Sequence, residues 1–245
     1  MNPAAQIGAD FKQVLGTDLY PVGFGFRKNR PEGAIGFKKK GHGCIMPLVF
    51  SAALGKTVAF DESTTGWPCS AFYLGYADWI FPGIEYFLSD GPIGRDCERF
   101  VATPELAKQY VQSLRMQPQS TGTAVFEPLE KASADEPPEI VIFFADADRL
   151  SALASLVQFS NPLDEHRVVS RFASACGAVV TLPLRHARKG EEKAFWGMHD
   201  IAARAHMPKD LMTLAVPFAL AQRMHADIDR SFLRTKSWAR LVERS

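Results

Sequence analysis

The sequence predicts an α+β fold, or an irregular α/β fold, built as a single domain with a mixed β-sheet and flanking helices. Amphipathic helical patterns and short apolar strand patterns both occur, and they do not alternate in the strict rhythm of a parallel sheet. The chain has 245 residues, of which 47% are apolar, and this is enough for the core of one large domain. We find no internal repeat.

The first half of the chain alternates helices with short strands. Thr103-Pro104-Glu105 marks the start of one helix, because threonine caps helices and proline fits their first turn. The buried stripe of this helix is predicted at Leu106, Tyr110, Val111 and Leu114. Helices are also predicted over residues 3–15 and 44–54, and strands over residues 21–26, 57–61 and 124–129.

The second half opens with a polar, acidic, proline-containing loop at residues 131–138, which resembles a linker. Residues 139–145 are then almost entirely apolar, as is typical of a strand buried on both faces. Asp146 or Asp148 is expected to cap the helix that follows. The later predicted elements are strands over residues 167–172, 194–198 and 211–218, and helices over residues 219–224 and 237–242.

Charge and hydropathy exclude several classes of function. The net charge is +1, which argues against nucleic acid or an anionic membrane as the partner. The longest apolar run, at residues 211–221, is too short to span a bilayer. The first residues lack the basic and apolar regions of a signal peptide, so we expect a cytoplasmic protein.

The cysteines are the most informative feature of the chain. Four cysteines in a chain of this length do not make a disulfide framework, so in a reducing compartment they are free, metal-bound or catalytic. Three of them lie next to glycine or proline: Cys44 follows Gly43, Cys69 follows Pro68, and Cys176 precedes Gly177. Each of these positions is predicted to be a loop-to-helix junction, where a thiol is biased toward the reactive thiolate.

The order of several segments resembles the DUF169 family of uncharacterised bacterial and archaeal proteins. The resemblance runs from about residue 18 to residue 240 and rests on Leu19-Tyr20-Pro21-Val22, Ala53-Leu54-Gly55-Lys56-Thr57, Trp67-Pro68-Cys69, Thr103-Pro104-Glu105-Leu106, residues 144–150 and Val216-Pro217-Phe218. It implies that Cys44, Cys69 and Cys176 are the recurrent cysteines of the family, while Cys97 has no counterpart. It implies no established activity.

The chain departs from the family pattern in two places. Many relatives have a pair of glycines just after the second cysteine, where this chain has Ser70-Ala71-Phe72. Relatives often carry a lysine in the strand after Pro-Val, where this chain has Gly23-Phe24-Gly25-Phe26. Both changes are expected to alter access to the site.

The spacing of the cysteines leaves several kinds of site open. The four are separated by 24, 27 and 78 residues, so no Cys-x-x-Cys pair of a zinc knuckle or ferredoxin loop is present. A dispersed set still suits an iron–sulfur cluster of the 4Fe-4S kind, with Cys44, Cys69 and Cys176 as ligands and Cys97 as a candidate fourth. Zinc, a reactive thiol without metal, and cysteines that only pack are the alternatives.

Five further residues are expected to lie around the cysteine ligands without binding the metal themselves, because they are close to the cysteines in the sequence or carry suitable side chains. They are His42, Gly43, Lys56, Trp67 and Gly177. Aromatic side chains from residues 67–87 are expected to shield the cluster.

The better-known catalytic motifs are missing. Gly55-Lys56-Thr57 resembles the end of a phosphate-binding loop, but Phe50 stands where that motif needs a glycine. The sequence contains no Gly-x-Ser-x-Gly elbow and no histidine pair of a zinc peptidase. The first interpretation is therefore a cluster-binding protein with a redox or small-ligand-binding role, and with a small molecule or a redox protein as partner. A metal-free binding or partner protein and a cysteine-thiol enzyme are the alternatives, and a homo-oligomer is compatible with all three.

Overall fold

A computed structural model of the chain describes residues 2–41, 43–91, 96–116 and 122–243. Within these residues, seven strands form one mixed sheet: β1 (Val22–Arg27), β2 (Val58–Phe60), β3 (Thr123–Pro128), β4 (Ile140–Ala145), β5 (Val168–Val169), β6 (Ala194–Gly197) and β7 (Met212–Pro217). Their order is β2-β3-β1-β4-β7-β6-β5. Neighbouring strands are antiparallel except β5 and β6, which pair in parallel at one edge.

Helices cover both faces of the sheet, which confirms the predicted α+β class with a mixed sheet and flanking helices. One face packs against α1 (Pro3–Leu15), α6 (Ala147–Gln158), α9 (Phe218–Asp227) and α10 (Lys236–Val242). The other face packs against α2 (Met46–Ala53), α3 (Pro68–Tyr73), α4 (Ile84–Leu88), α5 (Pro104–Ser113), α7 (Leu182–Arg188) and α8 (Ile201–Arg204). A sheet covered on both sides needs strands that are apolar on both sides.

The central strand β4 shows this requirement directly. Its six residues are all buried, as the sequence predicted. Ile140, Ile142 and Phe144 point into the core under α2 and α7, and the alternate residues point into the core under α1 and α6. The helix behind the strand begins where predicted, because the Asp146 side chain accepts a hydrogen bond of 2.9 Å from the Arg149 N–H.

The helical segment that carries Cys176 contains an irregularity. The chain is helical from residue 175 to residue 188, and Gly177–Thr181 forms a π-helical turn that leads into α7. Such turns are rare and occur frequently at functional sites. Gly177 is packed tightly within this turn, since a β-carbon there would lie 3.1 Å from Ser174 Oγ and 3.2 Å from Leu114 Cδ1.

Two sequence predictions are wrong: the burial of Leu106 and the length of the strand at residues 167–172. Leu106 is 49% exposed, because α5 turns Ala107 and Val111 toward the core and leaves Leu106 outside that face. The strand predicted over residues 167–172 is reduced to Val168–Val169. Phe172 leaves the sheet instead and stacks on Tyr110, with ring centroids 5.6 Å apart.

The remaining segments follow the predictions more closely. The acidic loop at 131–138 connects β3 to β4, and it packs on β1, where a β-carbon at Gly23 would lie 3.2 Å from Pro138 Cβ. Val58 begins a strand after Gly55-Lys56-Thr57, so the helix that a phosphate-binding loop requires does not follow. Across the described residues, no helix combines the length and the apolar character needed to cross a membrane.

Candidate functional site

Three of the four cysteines come together on the α2–α7 face of the sheet. Cys176 is buried at 5% exposure in the core of this face, and Cys44 and Cys69 are half-buried at its margin. The three thiols are close enough to interact electrostatically. Cys44 raises the pKa of Cys69, and both of these thiols raise the pKa of Cys176. The structure thus gathers residues that are far apart in the sequence.

Each of these cysteines lies at the beginning of a helical segment, as the sequence predicted. Cys44 stands just before α2, and the Met46 N–H donates a hydrogen bond of 3.4 Å to its Sγ. Cys69 is the second residue of α3, after Pro68. Cys176 is the second residue of the helical segment that begins at residue 175. Proline and glycine around these positions set the sharp change from loop to helix.

Main-chain hydrogen bonds join the loops that carry Cys44 and Cys69. The Trp67 N–H donates to the Gly43 carbonyl at 3.0 Å, and the Gly41 N–H lies 3.1 Å from the Gly66 carbonyl and 3.2 Å from that of Thr65. Gly43 has a φ of +81°, which favours glycine. The two loops are therefore held side by side by their backbones, and the relative position of the two thiols follows from this pairing.

Asp200 is a site residue that the sequence analysis missed. Its Oδ2 accepts a hydrogen bond of 3.1 Å from the Ala175 N–H, directly before Cys176. Its Oδ1 accepts one of 3.2 Å from the Ala203 N–H and so caps α8. A negative charge at Asp200 raises the pKa of each of the three thiols. The carboxylate is thus a neighbour of all three.

A pair of tyrosines borders the site on its inner side. The Tyr110 hydroxyl accepts a hydrogen bond of 2.6 Å from the Ser174 N–H, and the buried Tyr73 lies beside both residues. The Ser174 Oγ in turn accepts from the Gly177 N–H at 3.2 Å. These bonds fix the turn that leads into the Cys176 helix.

The sequence of the chain matches one family model. It is the model of DUF169, a family described as uncharacterised ArCR. It matches residues 10–227 of the 245-residue chain. The chain belongs to the DUF169 family. No curated protein and no solved structure matches it. The matched region includes the whole sheet, the three gathered cysteines and Asp200. Because DUF169 is uncharacterised, the function of this member has to be argued from its site.

The structure separates the other predicted site residues of this DUF169 chain. Cys97 lies against Gly91, where an added β-carbon would come within 3.0 Å of its Cβ, and it is not among the groups that shift the pKa of the other thiols. Lys56 is exposed beyond the C-terminal end of α2, at the opposite end of this helix from Cys44. His42 lies outside the described residues.

Aromatic side chains shield the site only in part. Phe72 and Tyr73 are buried beneath it, whereas Trp67 is 54% exposed beside the Gly43 loop. Trp79 and Tyr86 are also largely exposed. The expected shield of aromatic residues therefore consists of the inner members of this stretch, and its outer members face solvent.

The thiols of the DUF169 site differ from the sequence prediction in their ionisation. A position at a helix start was expected to favour thiolate. Burial dominates instead: it raises the pKa of Cys44, that of Cys69 to about 12, and that of Cys176 well above its usual value. Without a cation beside them, all three thiols are protonated at neutral pH.

The arrangement of histidine, cysteine and acidic side chains bears on the predicted metal site. Across the part of the chain that the structure describes, no group of three or more His, Cys, Asp or Glu side chains has the geometry of a site for a metal ion. The predicted metal ligands Cys44, Cys69 and Cys176 do not form such a group.

Proposed function

We propose that this protein binds an iron–sulfur cluster through Cys44, Cys69 and Cys176 and serves in electron transfer or in binding a small ligand at the cluster edge. The observation that supports the proposal is the convergence of these three thiols from three separate loops on one face of the sheet. Thiolate is the protein ligand that iron–sulfur clusters use most. When bound, the cluster would supply reversible one-electron chemistry.

The surroundings of the thiols support the same proposal. The Met46 N–H already donates to the sulfur of Cys44, and hydrogen bonds of this kind tune the reduction potential of a cluster. Cys176 lies in the core while Cys44 and Cys69 are half-buried at its margin. The cluster would thus be held on its inner side by Cys176. Its other side, next to Cys44 and Cys69, would be accessible to an electron donor or a small ligand.

The raised pKa values of the three thiols affect how readily a cluster would bind. Ligand thiols must lose their protons before they bind metal, so loading releases protons and becomes more favourable as the pH rises. In the metal-free state the protons stay on the sulfurs, because burial and the neighbouring thiols disfavour negative charge there. A bound iron centre would offset this penalty, because its positive charge would stabilise the thiolates of Cys44, Cys69 and Cys176.

The same burial favours a second candidate, in which the protein binds a small molecule or a partner without metal and the cysteines only pack. Cys176 sits among the apolar residues of the core, as a small hydrophobic side chain would. A thiol enzyme is supported less well, because a nucleophilic cysteine needs a lowered pKa and these three have raised ones.

The test is the iron, zinc and acid-labile sulfide content of protein purified without oxygen, together with its visible spectrum. We expect a brown protein with iron and sulfide in near-equal amounts. The variants Cys44→Ser, Cys69→Ser and Cys176→Ser should each lose most of the iron, whereas the matched control Cys97→Ser should retain it. Zinc alone, or no metal in any anaerobic preparation, would overturn the proposal.

A further inference from the structure

Two neighbouring strands at one edge of the sheet run in parallel, and a polar side chain follows the end of each. Residues 168–169 of β5 pair with residues 194–195 of β6. Ser170 comes directly after β5, and His199 follows the last residue of β6 by two positions. The carboxyl ends of parallel strands meet at one edge of a sheet, where α/β proteins commonly bind their ligands. The topology therefore brings a serine and a histidine together.

The two side chains are in hydrogen-bond contact. The Ser170 Oγ lies 3.3 Å from the His199 Nε2, with the serine exposed and the histidine half-buried. When the ring carries its proton on Nδ1, the hydroxyl donates to Nε2, and a histidine in this state can take the proton of a serine nucleophile. Such hydrogen bonds are often longer before a substrate binds than in the reacting complex. The pair thus has the relationship of a nucleophile and its base.

The backbone around His199 is fixed on both sides. Met198 has a φ of +68°, in the left-handed region that favours glycine, and its side chain is buried at 1% exposure. Outliers of this kind cluster at functional sites, where the surrounding structure maintains them. On the other side, the Asp200 carboxylate accepts hydrogen bonds from the Ala175 and Ala203 N–H groups. The ring of His199 is therefore presented from a rigid segment.

Ser170 opens onto a surface groove with positive charge. The groove has a volume of about 420 Å³, and Arg171 and Lys193 are among its lining residues. Within the described residues, neither of these two cations forms an ion pair with an acidic side chain. Glu165 and His166 also line the groove, and their side chains lie 3.8 Å from each other. The charge of the groove favours a ligand with a negative group.

We propose that Ser170 and His199 hydrolyse small carboxylic esters that carry a negative charge. The Ser170 Oγ forms a bond with the ester carbonyl carbon while its proton moves to the His199 Nε2. The bond from this carbon to the leaving alcohol then breaks, and the alcohol takes the proton from His199. Water attacks the acyl-serine in the same way, which releases the acid and restores both side chains. Arg171 and Lys193 attract the anionic group of the substrate.

The first experiment labels wild-type protein with diisopropyl fluorophosphate, which bonds covalently to the oxygen of a nucleophilic serine. We expect mass spectrometry of the digested protein to find the phosphoryl group on Ser170. Ser237, an exposed serine of α10, is the control and should stay unlabelled. Absence of label on Ser170, or equal labelling of both serines, would overturn the proposal. This result depends neither on a variant that folds nor on the cluster proposal.

The second experiment measures the release of 4-nitrophenol from 4-nitrophenyl acetate and from the mono-4-nitrophenyl ester of glutaric acid. Ser170→Ala and His199→Gln should each lower kcat/KM by about 100-fold, which is typical of the loss of a general base. The matched controls Ser237→Ala and His206→Gln change exposed side chains and should retain the wild-type rate. A wild-type rate in Ser170→Ala would assign the hydrolysis to another group and contradict the proposal.

The charge of the substrate is tested with the same two esters. The glutarate ester keeps a free carboxylate, so its kcat/KM should exceed that of the acetate, and Lys193→Gln should reduce this preference. Added salt should reduce it as well, because it screens the exposed cations of the groove. Equal kcat/KM values for the two esters in wild-type protein would show that the groove does not select an anionic substrate.

Discussion

The Trp67 N–H donates a hydrogen bond to the Gly43 carbonyl oxygen over 3.0 Å, and this contact joins the loop before Cys69 to the loop before Cys44. Gly66 lies directly against the same atom, since a β-carbon at position 66 would stand 2.3 Å from the Gly43 oxygen. A backbone oxygen cannot move aside as the end of a flexible side chain can. The loops that carry the two thiols are therefore held together by the hydrogen bond between Trp67 and Gly43, and the close approach of these loops requires glycine at position 66.

We expect Gly66→Ala to push these loops apart. The free energy of unfolding should fall by about 1–3 kcal/mol, which is typical of an overpacked site. The iron content of reconstituted protein should fall as well, because the loops that carry Cys44 and Cys69 move apart. Both are measured by urea denaturation and by metal analysis.

Gly25→Ala is the matched control for this change. A β-carbon at Gly25 would come no closer than 3.6 Å to another atom, which is ordinary contact, and neither glycine has a positive φ. If Gly66→Ala has the stability and iron content of Gly25→Ala, the contact with Gly43 does not position the thiols.

The stability of the metal-free protein should depend on alkaline pH through Cys69. Burial raises its pKa from 9.0 to about 12, so the folded state holds the proton more tightly than the unfolded state. This contribution to stability is complete below about pH 9 and is lost as the pH rises toward 12. Urea denaturation of metal-free protein across this range should therefore show a falling free energy of unfolding.

Buried tyrosines with raised pKa values titrate in the same range, so the prediction needs a variant to isolate the thiol. In Cys69→Ala the fall in stability above pH 9 should be shallower than in wild type. Equal slopes for the two proteins would show that Cys69 titrates alike in the folded and unfolded states. In that case its burial would not control its ionisation.

The local signals of this fold were readable from the sequence. The cap at Thr103, the cap at Asp146 and the apolar run of β4 each depend on residues within one turn or one strand, and all three are confirmed. The exposure of Leu106 was not predictable, because it depends on which side of α5 meets the sheet. Such errors arise where tertiary packing decides between neighbouring residues.

The site was predictable only in its residue types. Glycine and proline beside three cysteines indicated helix starts, but their convergence depends on contacts between loops that lie far apart in the sequence. Asp200 gave no separate signal, since an aspartate before a four-residue helix is what an ordinary cap looks like. Its second hydrogen bond, to the helix of Cys176, exists only in the folded chain.

Asp146→Ala should destabilise the protein through the loss of the cap of α6. The substitution removes the acceptor of the Arg149 N–H and the ion pair with the Arg149 side chain. A lost cap typically lowers the free energy of unfolding by about 0.5–2 kcal/mol. Asp146→Asn is the control, because asparagine caps equally well and lacks only the charge. Equal destabilisation by both variants would assign the effect to the ion pair instead of the cap.

Tyr110→Phe should loosen the beginning of the Cys176 helix. The change removes the hydroxyl that accepts from the Ser174 N–H at 2.6 Å and keeps the ring that stacks on Phe172. A main-chain N–H left without an acceptor costs about 1–3 kcal/mol when it is buried. The free energy of unfolding should fall accordingly, and Cys176 in the metal-free protein should react faster with an alkylating agent. Tyr86→Phe, at a side chain 48% exposed, is the control and should change neither quantity. An unchanged alkylation rate in Tyr110→Phe would mean that the hydroxyl does not restrain the helix of Cys176.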